Sequence, residues 1–363
     1  MHEDVLLGEL LAFTNGTSRP ADQPNGAYKI FGANGVIGRT DQTNAEARSV
    51  IIGRVGSYCG SVHFSVEPCW VTENAIIARA KEGVDPRYAY YALRSLNLHN
   101  HRIGSGQPLL TQQILSRIRT IKPPLPTQQA IASLLGALDD KIATNERIAQ
   151  TSDQLRSLLL SQFLNTPGNS TPRPLSTLAD FVNGRAFTKN ATGTGRMVVR
   201  IADINSGPGG STVYSDIDVP DVHLVRPGDV LFAWSGSLTV ARWFRPEAIV
   251  NQHIFKVIPR DGWPAWVLYE MVLSALSKFR SIAADKATTM GHIQRHHLDE
   301  PVLAPEPELI GNLNERLGGL WDRALAAEQE SLVLGELRNT LLPRLISGEV
   351  RVREAEKVVE EVL

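Results

Sequence analysis

Five residues near the start of the chain return, in order, far downstream. Leu7, Leu10, Phe13, Asn15 and Gly16 recur at an offset of 168 as Leu175, Leu178, Phe181, Asn183 and Gly184. Leu135-Gly136-Ala137-Leu138-Asp139-Asp140-Lys141 returns at an offset of 182 as Leu317-Gly318-Gly319-Leu320-Trp321-Asp322-Arg323, and the same offset carries Leu155-Arg156 onto Leu337-Arg338. Between these anchors Val50, Gly56 and Ser57 align with Val230, Gly236 and Ser237 at an offset of 180. Ordered matches that end in a gapless stretch identify a duplication, and the drifting offset places insertions early in the second copy. The 363 residues are one half-unit of roughly 180 residues used twice.

Each copy runs from a variable mixed segment into a long periodic one. Ile131, Leu135, Leu138, Ile142, Asn145, Ala149, Ser152, Leu155, Leu159 and Phe163 alternate by fours and threes, a heptad seam. The equivalents are Leu313, Leu317, Leu320, Ala324, Ala327, Ser331, Leu334, Leu337, Leu341 and Leu345. Roughly 38 helical residues span about 57 Å, more than one domain face requires. Both seams are bulky at the ends and small or polar in the middle, which predicts antiparallel pairing. Pro123, Pro124 and Pro126 precede the first helix, Pro305 and Pro307 the second, and the three prolines of 165–174 mark a linker. The expected fold is α+β: two mixed α/β globular domains (1–122 and 175–304), two long antiparallel coiled-coil helices (123–164 and 305–347) related by a pseudo-two-fold duplication, and a C-terminal tail (348–363). Val50-Ile51-Ile52, 229–234 and 253–257 are strand-like, while 88–98 and 263–282 read as helices.

Charge has to be read locally. Lys plus Arg number 37 against 38 Asp plus Glu, a net charge of -1, which at face value argues against a polyanionic partner. Yet Pro86 to Leu138 holds no acid and six bases, and no acid lies between Phe181 and Ala202, where Arg185, Lys189, Arg196 and Arg200 fall. From Asp299 to Leu363, 14 acids face 7 bases. The average is a cancellation between cationic loops and an acidic second helix and tail. Arg and Lys among Gly, Gln, Asn and Thr suit phosphate positioning and base-edge contact.

Catalytic signatures are missing. There is no GxxxxGK[ST], no GxGxxG after a strand, no HExxH, GxSxG or CxxC, and no Asp/Asn-Pro-Pro-Tyr/Phe tetrapeptide. Cys59, His63 and Cys69 lack a fourth ligand at sensible spacing, so buried reduced thiols are expected rather than a metal. Asp139 and Asp140 are helix neighbours that point apart, which suits surface or partner contacts better than acid–base chemistry. No run approaches 18 apolar residues and the start lacks a signal-peptide pattern, so the expectation is a soluble cytoplasmic protein without catalytic residues.

Pro123-Pro124-Leu125-Pro126-Thr127-Gln128-Gln129-Ala130-Ile131-Ala132, running into Leu138-Asp139-Asp140-Lys141-Ile142, resembles the central conserved region of type I restriction–modification specificity subunits. Thr288-Thr289-Met290-Gly291-His292-Ile293 and Leu341-Leu342-Pro343-Arg344-Leu345-Ile346-Ser347-Gly348-Glu349 are similar to that family too. The resemblance covers nearly the whole chain. It implies two target-recognition domains on double-stranded DNA reading a two-part site with an unread gap. It also implies docking of two DNA adenine methyltransferase subunits and of ATP-dependent restriction subunits, in defence against foreign DNA. S-adenosylmethionine, ATP and Mg would belong to those partners, with no cofactor on this chain. The second copy departs from the pattern: Ala304-Pro305-Glu306-Pro307-Glu308-Leu309 lacks the Gln-Gln, and Trp321 replaces Asp139.

Within that resemblance, DNA contact is expected from Asn34, Arg39, Gln107, Gln112, Gln113 and Arg117 in the first copy. In the second it is expected from Arg185, Lys189, Arg196, Arg200, Lys286, His292, Gln294 and Arg295. Side-chain amides suit adenine, and guanidinium groups suit guanine or phosphate. Leu134, Asp140, Ile148 and Leu158 are expected on the partner-facing sides of the helices. Two other functions fit the same residues: a specificity subunit whose partner fuses methylation and cleavage, and a coiled-coil scaffold that binds no DNA.

Overall fold

Strand runs and turn glycines alternate in the same order in both copies, and the computed structural model folds them into matching sheets. It describes residues 3–104, 106, 108–189, 191–285 and 291–362. The chain divides into two compact units, one of Met1–Lys141 with Leu334–Leu363 and the other of Ile142–Val333.

In the first unit β1 (Glu3–Leu6) leads through α1 (Leu7–Leu10) into β2 (Leu11–Asn15). The hairpin β3 (Tyr28–Gly32) and β4 (Gly35–Thr40) follows, then β5 (Ser49–Gly53), β6 (Val62–Ser65), β7 (Trp70–Val71) and β8 (Ala75–Ala80). Next come α2 (Pro86–Ser95), α3 (Gln112–Ser116) and β9 (Arg119–Lys122), which pairs antiparallel with β1, before α4 (Leu125–Leu164) begins. The main sheet has the order β2-β8-β5-β6 and the small one β4-β3-β7.

The second unit repeats this plan. β10 (Ser170–Pro174) leads into α5 (Leu175–Leu178), β11 (Ala179–Asn183), β12 (Arg196–Val199), α6 (Ile201–Ser206), β13 (Val213–Ser215) and β14 (Leu224–Val225). β15 (Val230–Ala233), β16 (Thr239–Arg242), β17 (Ala248–Val250) and β18 (Ile254–Pro259) follow, then α7 (Ala265–Asp285), β19 (Pro301–Pro305) and α8 (Ile310–Ser347). The sheets run β11-β18-β15-β16 and β13-β12-β17-β14. Asn15 faces Ile76 across β2–β8, and Asn183 faces Phe255 across β11–β18. α6 and β14 lie in the segment where the repeat offset grows from 168 to 180. β10 occupies 170–174, within the stretch read as a linker, because its extended proline backbone pairs antiparallel with β19. The segment 348–363 contains an amphipathic helix, α9 (Val352–Val362), whose Ala355 is fully buried.

Gly16 and Gly184 show why the Asn-Gly pair recurs. A Cβ on Gly16 would sit 2.2 Å from the Thr72 carbonyl oxygen, and one on Gly184 would sit 2.1 Å from that of Asn251. Strand end and neighbouring turn approach too closely for any side chain.

α2 starts where Asp85 caps the backbone N–H groups of Arg87 and Tyr88, with Pro86 in the first turn. Ala89 and Leu93 face the sheet core, while Tyr88, Tyr91 and Ala92 face Ile131 and Leu135 of α4 and Leu341 and Leu345 of α8. The long helices therefore pair antiparallel inside this unit. They do so in the other unit as well, where Ala149 packs on Ala324 and Ala327, and Asn145 donates to Glu330.

The predicted seam holds through Ser152 and then moves: Leu155 is 42% exposed, whereas Arg156 and Leu160 are buried. A helix of 3.6 residues per turn drifts about 20° per heptad against a 3.5-residue stripe, so after three heptads the next position faces inward. Arg156 is fixed there by Glu270 (Nε to Oε1, 3.0 Å) and Asp153 (2.6 Å), and its guanidinium lies 5.1 Å from the Trp321 ring. In the first unit the residue 182 positions on, Arg338, donates to Asp139 (2.6 Å), which also accepts from the Tyr91 hydroxyl (2.6 Å). Trp321 stands where Asp139 does, so an ion pair in one copy is a cation–π contact in the other. The missing carboxylate is supplied by Glu270 of α7.

Candidate nucleic-acid interface

The expected contact residues fall into two physical groups. Asn34 is exposed at the tip of the β3–β4 hairpin, where Gly35 takes φ 91° and closes the turn. Gln113 and Arg117 are exposed on and just after α3. Arg185 and Lys189 are exposed in the loop after β11, and His292, Gln294 and Arg295 in the segment before β19. Their heads are exposed, and Arg295 also donates to the Phe181 carbonyl (3.3 Å).

The other group has work inside its own unit. Arg39 donates to the Gly26 and Ala27 carbonyls (2.7 and 2.9 Å), tying the hairpin to the preceding turn. The Gln112 amide, oriented to suit its partners, donates to the Phe13 carbonyl (3.0 Å) and accepts from Asn15 N–H (3.1 Å). Arg196 donates to Glu247 and the Ile217 carbonyl. Arg200 grips both oxygens of buried Asp203 (3.0 and 3.3 Å). Burial pulls the Asp203 carboxyl upward, but hydrogen bonds from Arg200 and Thr212 outweigh it and hold the group below the ordinary carboxylate range. Gln107 and Lys286 lie outside the described residues.

The surface that holds the expected Arg185 and His292 also holds residues not expected from the sequence. Trp234, just past the end of β15, donates from Nε1 to Asn183 (2.8 Å), and its ring lies 5.1 Å from His253 and 6.4 Å from His292. Asn183, Arg185, Gln252, His253 and His292 are all exposed around it. The usable signal was the 180 offset, which aligns Trp234 with Arg54. Single-residue chemistry gave no reason to choose either.

The helix residues divide similarly. Leu158 is 57% exposed, whereas Leu134 packs against the Ile131–Leu345 cluster and Ile148 against Ala149. Asp140 accepts from both terminal nitrogens of Arg87 (3.1 and 2.7 Å) and so clamps α2 to α4. Burial pushes the Cys59 and Cys69 thiols up; they sit in separate clusters, and among the described residues no three possible metal ligands converge. No helix among them is long and apolar enough to cross a membrane.

Paired sheets in each half, exposed cationic loops and an antiparallel helix pair define a class. Residues 2–151 match the family described as the type I restriction modification DNA specificity domain. Among curated relatives it is 29% identical over 112 residues to the type I restriction enzyme EcoprrI specificity subunit of Escherichia coli, covering 31% of this chain and 28% of that one. It is 24% identical over 195 residues to the EcoBI specificity subunit of the same organism, covering 52% and 41%. The chain thus matches less than half the length of these relatives. A solved type I restriction-modification system S subunit from M. genitalium has the same fold, with a TM-score of 0.65 at 16% identity over 95% of this chain and 96% of that one.

Proposed function

We propose that this chain is the DNA-recognition subunit of a type I restriction–modification complex. Each half reads one part of a two-part double-stranded site, the base pairs between go unread, and the long helices dock two adenine methyltransferase subunits and the restriction subunits. The chain itself is non-catalytic and acts in the cytoplasm. Methylation and ATP-dependent cleavage reside in the partners, together with S-adenosylmethionine, ATP and Mg. The observation that carries this reading is the repetition of one sheet topology in both halves, each with exposed Arg, Lys, Gln or Asn on its loops. Exposed Leu158 supports the partner role. The test is methylome sequencing of cells that express the chain with the methyltransferase encoded beside it. A methylated motif of two short parts and a fixed gap is expected. Methylation that is absent, or unchanged when this chain is omitted, refutes the assignment.

A further inference from the structure

The two halves share a backbone frame at one end of the main sheet, bond for bond. Gly16 N–H donates to the Ala75 carbonyl (3.0 Å) and Gly184 N–H to that of Ile254 (2.9 Å). Arg54 N–H donates to Asn74 (3.0 Å) and Trp234 N–H to His253 (3.1 Å). The Arg54 carbonyl accepts from Leu110 (2.9 Å) and the Trp234 carbonyl from Ile293 (3.1 Å). Even the outer brace corresponds, since Gln112 donates to the Phe13 carbonyl and Arg295 to that of Phe181.

Inside this constant frame the displayed side chains differ. Arg54 and Asn74 stand where the second half has Trp234 and His253. Among the described residues the Arg54 side chain has no ion-pair partner, and its buried Nε has no hydrogen-bond partner. His253 takes φ 69°, a left-handed conformation that costs energy in a non-glycine residue. Trp234 has donated its one N–H to Asn183 and its half-buried ring packs against Phe255 (5.7 Å), so the part of it left exposed is apolar.

We propose that Arg54 with Asn74, and Trp234 with His253, are the specificity-determining side chains that make the two half-sites differ; this rests on the DNA-reading function above. Arg54 presents the paired donors that match the guanine edge, and Asn74 can match adenine. Trp234 presents an apolar face suited to a thymine methyl group, with His253 as a polar neighbour.

The experiment is site selection from randomised duplex DNA by the full chain together with its co-encoded methyltransferase. Arg54→Ala is expected to lose preference at one base pair of one half-site, by roughly ten- to a hundredfold, with the other half-site unchanged. Trp234→Ala is expected to do the reverse. Arg54→Lys keeps the charge but not the paired geometry, and is expected to lose the same preference. Unchanged motifs in Arg54→Ala and Trp234→Ala overturn the inference. So does an equal loss of affinity on all sequences, which marks phosphate contact. Where an alanine variant melts early, Arg54→Gln and Trp234→Gln carry the test. If the wild-type complex selects no sequence, the function proposed above fails instead.

Discussion

Arg156→Met tests whether the Arg156 node holds the second unit together. Arg156 is wholly buried, and Glu270 beside it is 6% exposed and accepts from Ser157 and Arg156 alike. Burial already pushes the Glu270 carboxyl up against the pull of Arg156 and Ser157. Removing the cation strands that carboxylate, a loss of about 3–5 kcal/mol for one member of a buried pair. Asp153 keeps Arg242 at 3.0 Å, and methionine retains the aliphatic packing, so the lower end, about 3 kcal/mol, is expected. Adding Glu270→Gln removes the stranded charge and should restore at least about half of the loss. Arg338→Met is the internal control: Asp139 is 21% exposed and keeps the Tyr91 hydroxyl, so about 1–2 kcal/mol is expected. Of the six tryptophans, all but Trp70 lie in Ile142–Val333, so indole emission during urea unfolding reports that unit. A loss below about 1 kcal/mol for Arg156→Met, or one equal to that of Arg338→Met, refutes the reasoning.

Gly16→Ala and Gly184→Ala each force a methyl group into backbone and should cost about 3 kcal/mol or more, read as a lower melting temperature. Leu160→Ala should cost about 2–5 kcal/mol, whereas Leu155→Ala should stay within about 0.5 kcal/mol; the reverse ranking in chemical denaturation would restore the heptad seam read from sequence. Burial holds the His63 imidazole below its ordinary value of 6.5, and burial with the Arg185 charge does the same for His223. The unfolded chain then takes up protons first, so stability is full above about pH 7 and falls as pH drops through 6.5 towards the folded values. Melting curves from pH 7.5 to 5.5 should show that fall, and His63→Gln with His223→Gln should flatten it.

The duplication was legible because backbone contacts demand the same residues twice: glycine where a strand end touches a turn, leucine on a seam. The helices were legible from periodicity alone, and so was the small-residue middle where Ala149 meets Ala324. The stripe beyond Ser152 was not, since a buried Arg156 is tolerated there only through Glu270, more than a hundred residues away in sequence. The contact residues were half legible. Composition located the cationic loops around Arg185 and Arg117, but it could not distinguish Arg200, closed on Asp203, from Arg54, which has no such partner among the described residues. A guanidinium looks the same in sequence whether or not a carboxylate faces it.

The division into units sets an order of assembly. The second unit is continuous from Ile142 to Val333, whereas the first waits for Leu334–Leu363. At about 5–20 residues per second, the roughly 190 residues between Lys141 and Leu334 take about 10–40 s to emerge from the ribosome. During that interval Tyr88, Ile131 and Leu135 lack the Leu341, Leu345 and Ala355 that cover them. The part made first is finished last, and until then it presents an apolar stripe to every chaperone within reach.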